Sequence, residues 1–350
     1  MQRCLQLAIN GRPNAMPNPV VGAVIVHNDT IIGEGFHAVC GEAHAEVNAI
    51  RSVKDKNLLT NSTLYVSLEP CSHYGKTPPC AGLIIREGIP RVVVGMQDPF
   101  PEVSGKGVEM LRNAGVEVHV GLLEDACRKI NDRFITFHTY KRPHIILKWA
   151  QTSDGFIDTL RDKDDNPDAA IISNETTQVK LHKFRSQVSG ILVGTNTALK
   201  DNPSLTVRLW QGKNPVRIFI DRNLRIPDTY HLLDGKERTI VFTAKEKKSA
   251  NPAIQYVPVD FTRNIIPQML TVLYKENIQT LLVEGGRKLL NSFMEHALWD
   301  EARIETSEKK FGKGVSAPVL HNGELIHSER FGDSVIETFK NKNIPTKIEF

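Results

Sequence analysis

His44, Glu46, Cys71 and Cys80 are the residues whose types and spacing point most directly to chemistry. At a catalytic site zinc takes three nitrogen or sulfur ligands and keeps a fourth position open for water. A carboxylate nearby, not itself a ligand, can carry a proton from that water to a departing amine. His44, Cys71 and Cys80 would hold one Zn2+ per chain, and Glu46 would be the unattached carboxylate. Competing readings remain open. Cys40 lies four residues before His44 and is a rival ligand, and a buried Cys is most often just a small hydrophobe. His-x-Glu alone carries little information, since His327-Ser328-Glu329 repeats it with no Cys after it. Order, spacing and two Pro-Cys steps together favour the metal.

The elements that must position these groups follow from their spacing. Residues two apart on a helix point about 200° apart, so His44 and Glu46 share a site only over a helix N-terminus. Cys71 and Cys80 each follow a Pro, a residue suited to the first helical turn. Both thiols are therefore expected at helix starts, where the dipole and free N–H groups favour thiolate. The metal would then sit between helix ends.

Around this core the pattern alternates. Residues 20–26 and 30–32 flank His27-Asn28-Asp29 as two strands of a hairpin. Gly33-Glu34-Gly35-Phe36-His37-Ala38 matches a dinucleotide fingerprint by accident, the hairpin accounting for its glycines. Strands at 64–68, 91–95 and 116–120 alternate with helices over 80–87 and 107–113, which implies a layered α/β domain. Residues 124–137 read as one helix, and a boundary falls near Lys141-Arg142-Pro143, dividing 1–141 from 142–350. A second series begins at 144–148 and continues with strands at 190–193, 216–220, 239–242 and 280–283. There Glu284-Gly285-Gly286 leads into a helix over 287–296, a turn where a diphosphate can approach backbone N–H groups. A plain strand-to-helix turn explains the same glycines equally well. The acidic stretch 162–168 reads as a surface loop.

The order His-x-Glu, Pro-Cys, Cys resembles the known signature of zinc-dependent base deaminases. The string Glu69-Pro70-Cys71-Ser72-His73-Tyr74-Gly75-Lys76-Thr77-Pro78-Pro79-Cys80 resembles more closely the deaminase half of the bifunctional riboflavin-biosynthesis deaminase/reductases. Asn18-Pro19-Val20-Val21-Gly22, Gly35-Phe36-His37, Asp98-Pro99 and Gly105-Lys106-Gly107 are similar to that family as well. In the second half, Lys148-Trp149-Ala150, Asp154-Gly155, His182 to Arg185, Gly194-Thr195-Asn196-Thr197 and Asp201-Asn202-Pro203 to Arg208 resemble its reductase half. The resemblance implies a cytidine-deaminase-like layered domain followed by a dihydrofolate-reductase-like domain. It implies NADPH contacts from Thr197, Asp201, Gly285, Gly286, Arg287, Lys288 and Leu289. It also implies substrate contacts from Arg185, Leu205, Arg208 and Glu284. Two of these are arginines, whose planar forks suit a ribose phosphate. Lys148, placed at the end of its strand, is a candidate for sugar binding or proton donation, or equally an ion-pair partner. The chain departs from the family between Phe156 and Asn174, and the resemblance fades after about Ala317.

Composition sets the outer bounds. With 350 residues, 40% hydrophobic and 24% charged, the chain has the make-up of a globular protein with room for two cores. A net charge of +4 suits phosphorylated pyrimidines and offers little to a nucleic acid. No apolar run reaches the roughly 20 residues that span a bilayer, and Met1-Gln2-Arg3-Cys4-Leu5 lacks a signal peptide's apolar core. Five Cys, two of them assigned to metal, fit a reducing cytoplasm. A homo-oligomer is compatible with all of this. The reading from a different class is a nucleic-acid-modifying zinc deaminase with a noncatalytic, RNA-docking second domain.

Overall fold

The computed structural model describes residues 1–12, 14–72, 78–100, 104–160 and 170–343. The chain divides into two compact units, Met1–Lys141 and Arg142–Phe350. Residues 161–169 of the atypical 156–174 segment, with the 162–168 stretch inside them, and motif residues 73–77 lie outside the described residues.

In the first unit α1 (Gln2–Ile9) precedes the hairpin β1 (Gly22–His27) and β2 (Thr30–Phe36). Asn28 and Asp29 both take positive φ, 45° and 57°, the turn geometry that matches the twist of paired strands. Then follow α2 (Ala45–Ser52), β3 (Thr63–Val66), α3 (Cys80–Arg86) and β4 (Arg91–Val94). The unit closes with α4 (Lys106–Asn113), β5 (Glu117–Val120), α5 (Glu124–Ile130) and α6 (Asp132–Tyr140). The five strands form one sheet in the order β2-β1-β3-β4-β5. Ala45, Ala49, Ile50, Ala81, Ile84 and Leu111 bring α2, α3 and α4 onto one face. Cys4, Leu7 and Cys127 bring α1 and α5 onto the other.

Two expectations are corrected here. The helix expected over 124–137 is two helices, broken at Asn131, whose φ of −113° leaves the helical region. The Asn131 side chain spans the main chain of Val20, accepting from its N–H at 2.9 Å and donating to its carbonyl at 3.0 Å. Such an amide bridge outweighs the helical continuity that the local pattern favoured. Gly33 and Gly35 owe their identity to packing rather than to the hairpin. A Cβ at Gly35 would fall 2.3 Å from the Ala49 nitrogen, and one at Gly33 2.6 Å from the Ala49 oxygen. Glycine here lets α2 lie directly on β2.

The second unit opens with β6 (His144–Thr152), β7 (Phe156–Asp158), α7 (Glu175–Arg185), β8 (Gly190–Val193) and α8 (Thr195–Asp201). Next come β9 (Val216–Ile220), β10 (Thr239–Thr243), β11 (Ile254–Pro258), α9 (Ile265–Lys275), β12 (Thr280–Gly285) and α10 (Arg287–Glu295). The last elements are β13 (Glu301–Ser307), β14 (Val315–Ser316), β15 (Gly323–Phe331) and β16 (Ser334–Asn341). Nine strands form one sheet, β11-β10-β9-β8-β12-β6-β13-β16-β15, parallel from β11 to β13 and antiparallel beyond. Ile266, Met269, Leu290 and Phe293 seat α9 and α10 on one face. Phe184 and Ala198 seat α7 and α8 on the other. β12 enters the sheet late, between β8 and β6. The carboxyl ends of these strands therefore meet at a switch in strand order, the usual place for a ligand crevice in such sheets.

Candidate active sites

In the first unit His44 is the N-cap residue of α2 and Cys80 the first residue of α3. His44 Nδ1 lies 3.6 Å from Cys71 Sγ and 3.4 Å from Cys80 Sγ. All three ligand atoms fall within 4.8 Å of one another. A tetrahedral zinc with bonds of about 2.3 Å to sulfur and 2.0–2.1 Å to nitrogen holds N and S about 3.5 Å apart. The donor set and its spacing fit zinc. Cys40 is exposed and lies outside this group.

Cys71 departs from expectation, since it lies in irregular chain after β3 and starts no helix. Its sulfur instead receives the Cys80 N–H at 3.3 Å, so the start of α3 serves both thiols. A hydrogen bond from the Cys80 thiol, and another from His44, hold Cys71 well below the usual thiol range. The same bond and burial push Cys80 up. Glu46, in the first turn of α2, is buried beside the Cys80 thiol. Burial first, then the Cys71 charge, pushes its carboxyl up to about 7. A carboxyl so poised can both take and give a proton near neutral pH.

Asn18 and His37, from separate motifs, meet beside the metal ligands. The Asn18 amide lies 3.1 Å from His37 Nε2, and His37 Nδ1 lies 3.2 Å from the Ala43 carbonyl. The His37 ring packs edge-on to His44, with centroids 5.3 Å apart.

Sequence reasoning missed the role of Glu69, which carried no signal beyond its place before Pro70-Cys71. Its buried carboxylate accepts four backbone N–H groups: Asp98 at 3.2 Å, Gly105 at 2.9 Å, Gly107 at 2.9 Å and Val108 at 3.2 Å. It thereby ties Asp98, Gly105, Gly107 and Val108 to the chain entering Cys71. Glu69→Gln puts an amide NH2 against two N–H donors. We expect it to lower the first unit's stability by about 2–3 kcal/mol, the worth of one to two hydrogen bonds to a charged group. A lower denaturant midpoint measures the loss, and an unchanged midpoint contradicts it.

The second site gathers at the carboxyl ends of β12 and β8, beside Lys148 within β6. Glu284 sits at a bulge, because Val283 pairs with Leu192 and Gly285 with Val193. Bulges re-aim side chains beside functional sites, and here the Glu284 carboxylate meets Arg185 at 2.9 Å and 2.6 Å. Arg185 also donates to the Thr206 carbonyl at 3.3 Å. Its fork is thus engaged with protein, whereas Arg208 is exposed and bonds through its guanidinium to Thr206 Oγ1 at 3.3 Å. The Leu205 side chain is packed in the core below α7 and α8, with φ at 51°.

Thr197 Oγ1 accepts the Gly286 N–H at 3.0 Å, joining α8 to the turn before α10. Gly285 has φ of 146°, a conformation that side chains resist. Arg287 and Lys288 are exposed in the first turn of α10, while Leu289 packs into the core. Asp201 ends α8 and is exposed. Lys148 is not at a strand end, because β6 runs on to Thr152. Pairing with β12 stops at Leu147, but β13 continues alongside, Arg303 facing Lys148. Burial pushes the Lys148 ammonium down, against the pull of Glu284 and Glu305.

Comparison with known proteins agrees with both sites. Residues 1–96 match the cytidine and deoxycytidylate deaminase zinc-binding region, and residues 143–344 match the RibD C-terminal domain. The second match runs through β15 and β16, so the resemblance does not fade after Ala317. It also disfavours a noncatalytic, RNA-docking second domain. The riboflavin biosynthesis protein RibD of Aquifex aeolicus is 42% identical, with 97% of each chain covered. That of Bacillus amyloliquefaciens is 39% identical, with 94% of this chain and 88% of the relative covered. A crystal structure from Thermotoga maritima, of a diaminohydroxyphosphoribosylaminopyrimidine deaminase/5-amino-6-(5-phosphoribosylamino)uracil reductase, superposes with a TM-score of 0.87 at 39% identity and 97% coverage of both chains. Matched in both halves and along nearly its whole length, the protein belongs to the RibD family of bifunctional riboflavin-biosynthesis enzymes, zinc-dependent deaminases joined to NADPH-dependent reductases.

Proposed function

We propose that the Met1–Lys141 unit hydrolytically deaminates 2,5-diamino-6-(5-phosphoribosylamino)pyrimidin-4(3H)-one. The Arg142–Phe350 unit then reduces the ribosyl group of 5-amino-6-(5-phosphoribosylamino)uracil to ribityl. The observation that carries this reading is the convergence of His44, Cys71 and Cys80 on one point, with the Glu46 carboxyl at the same thiols. Zinc held by these three residues supplies Lewis acidity towards water. Glu46 takes a proton from the attacking water and passes it to the ring amine, whose C–N bond breaks to release ammonia. The second proton of the water passes to the adjacent ring nitrogen, and its oxygen remains on the ring as the carbonyl. Burial of Glu46 keeps bulk water from short-circuiting that transfer.

In the second unit NADPH supplies the hydride, and the protein supplies position and charge. The Gly285-Gly286 turn, braced by Thr197, would offer the N–H groups of Arg287 and Lys288 at the start of α10 to the diphosphate of NADPH. Leu289 anchors that turn in the core, and Asp201 meets the cofactor from the end of α8. Arg208 meets the substrate phosphate, with Arg185, Glu284 and the Leu205 main chain forming the wall beside it. Lys148 faces the sugar. The +4 net charge supports small phosphorylated substrates over nucleic acid. Among the described residues no helix is long and apolar enough to cross a membrane.

Mass spectrometry of the purified protein with substrate and NADPH tests the sequence of steps. Loss of ammonia without the subsequent gain of two hydrogens refutes the second assignment. Arg208→Ala should weaken reduction at least about tenfold, the worth of one charge-assisted hydrogen bond, and leave deamination unchanged. Equal losses in both steps would remove Arg208 from the reductase site.

A further inference from the structure

An exposed loop in the second unit has its main chain tied at three successive residues. The Thr206 carbonyl accepts from Arg185 at 3.3 Å, and the Val207 N–H donates to the Asn214 side chain at 2.7 Å. The Arg208 N–H donates to His182 Nδ1 at 2.9 Å. Just before them, the Leu205 side chain is 2% exposed and sunk in the core. His182 and Arg185 stand three residues apart on α7, so one helix face grips both ends of the tripeptide. Glu284 in turn holds Arg185 through two bonds. His182 is itself buried, at 5% exposure. Burial, and then the charges of Arg185 and Arg208, push its imidazole down to about 4, which keeps Nδ1 an acceptor near neutral pH. The Arg208 side chain itself is exposed, so fixing its main chain does not serve to pack that side chain. Binding does supply a reason, since a side chain whose backbone is already fixed loses less freedom when it meets a ligand.

We propose that His182 is a positioning residue of the reductase, holding the Arg208 main chain so that its guanidinium is in place for the substrate phosphate. This rests on the assignment of Arg208 to that phosphate. The test compares reduction of the phosphorylated intermediate with reduction of its dephosphorylated form. His182→Leu removes the acceptor, whereas His182→Asn places a side-chain oxygen where Nδ1 stood. For His182→Leu we expect KM for the phosphorylated intermediate to rise about fivefold with kcat nearly unchanged, the loss of one hydrogen bond. His182→Asn should stay near wild type, and the dephosphorylated form should not distinguish the three proteins.

Asn214 is exposed, so Asn214→Ala tests the same restraint without disturbing the core, and the same selective rise is expected. Equal losses on both substrates in His182→Leu, or identical behaviour of the Leu and Asn variants, would overturn the proposal. So would an unaltered KM in Asn214→Ala. Arg208→Ala separates the two levels of inference. If it is not selective for the phosphorylated substrate, the phosphate assignment is wrong. If it is selective and His182→Leu is not, only the role of His182 falls.

Discussion

Glu46→Gln lowers deamination by about 10²–10⁴-fold and leaves reduction of a supplied, already deaminated intermediate unchanged. The amide keeps the size and shape of the side chain, and the three candidate metal ligands stay intact. What it removes is the group that accepts the water proton, and general acid–base catalysis is typically worth that factor. The structure adds two reasons to expect the high end. Glu46 is only 3% exposed, so solvent cannot substitute for it. Burial also raises its carboxyl above the usual carboxylate range in the metal-free protein, which favours the proton-holding form needed for the second half of the transfer. Assaying the two steps separately decides the matter. A folded Glu46→Gln protein that cannot reduce the supplied intermediate would show the two activities to be coupled, against the division at Lys141.

Cys71→Ala and Cys80→Ala each abolish zinc binding. With one thiolate gone the site has two ligands, and affinity should fall beyond the 10–100-fold typical of losing an outer-shell partner. Cys71→Ala also removes the acceptor of the Cys80 N–H, and Cys80→Ala removes the thiol beside Glu46. Deamination should vanish with the metal, while reduction of the supplied intermediate persists. Metal analysis is the direct readout. One zinc per chain in both variants would show the ligand assignment to be wrong, and Cys40 would be the next residue to replace.

The metal chemistry was legible because its donors are rare and local. His44 and Glu46 are two residues apart at a helix start, and each Cys follows a Pro, so type and spacing already imply one kind of site. The alternation of strands and helices was legible for a similar reason, since a buried parallel strand such as Gly190–Val193 is a short apolar run whatever lies beside it. β15 escaped notice because its residues are largely exposed on both faces and show no alternation to detect. Family membership came from the order of whole motifs, not from any single residue.

Partner choice is what the sequence alone did not determine. Nothing near Glu69 announces four N–H donors 29 to 39 residues away, and nothing near Asn131 announces Val20. Arg185 reads as a free phosphate fork until β12, entering between β8 and β6, brings Glu284 to it from 99 positions along the chain. Lys148 reads as a strand end until β13 extends the ladder past it. In each case the residue's chemistry is local, but its partner depends on strand order and register, which the tertiary structure alone decides. A buried polar group must be satisfied by whatever the fold places beside it.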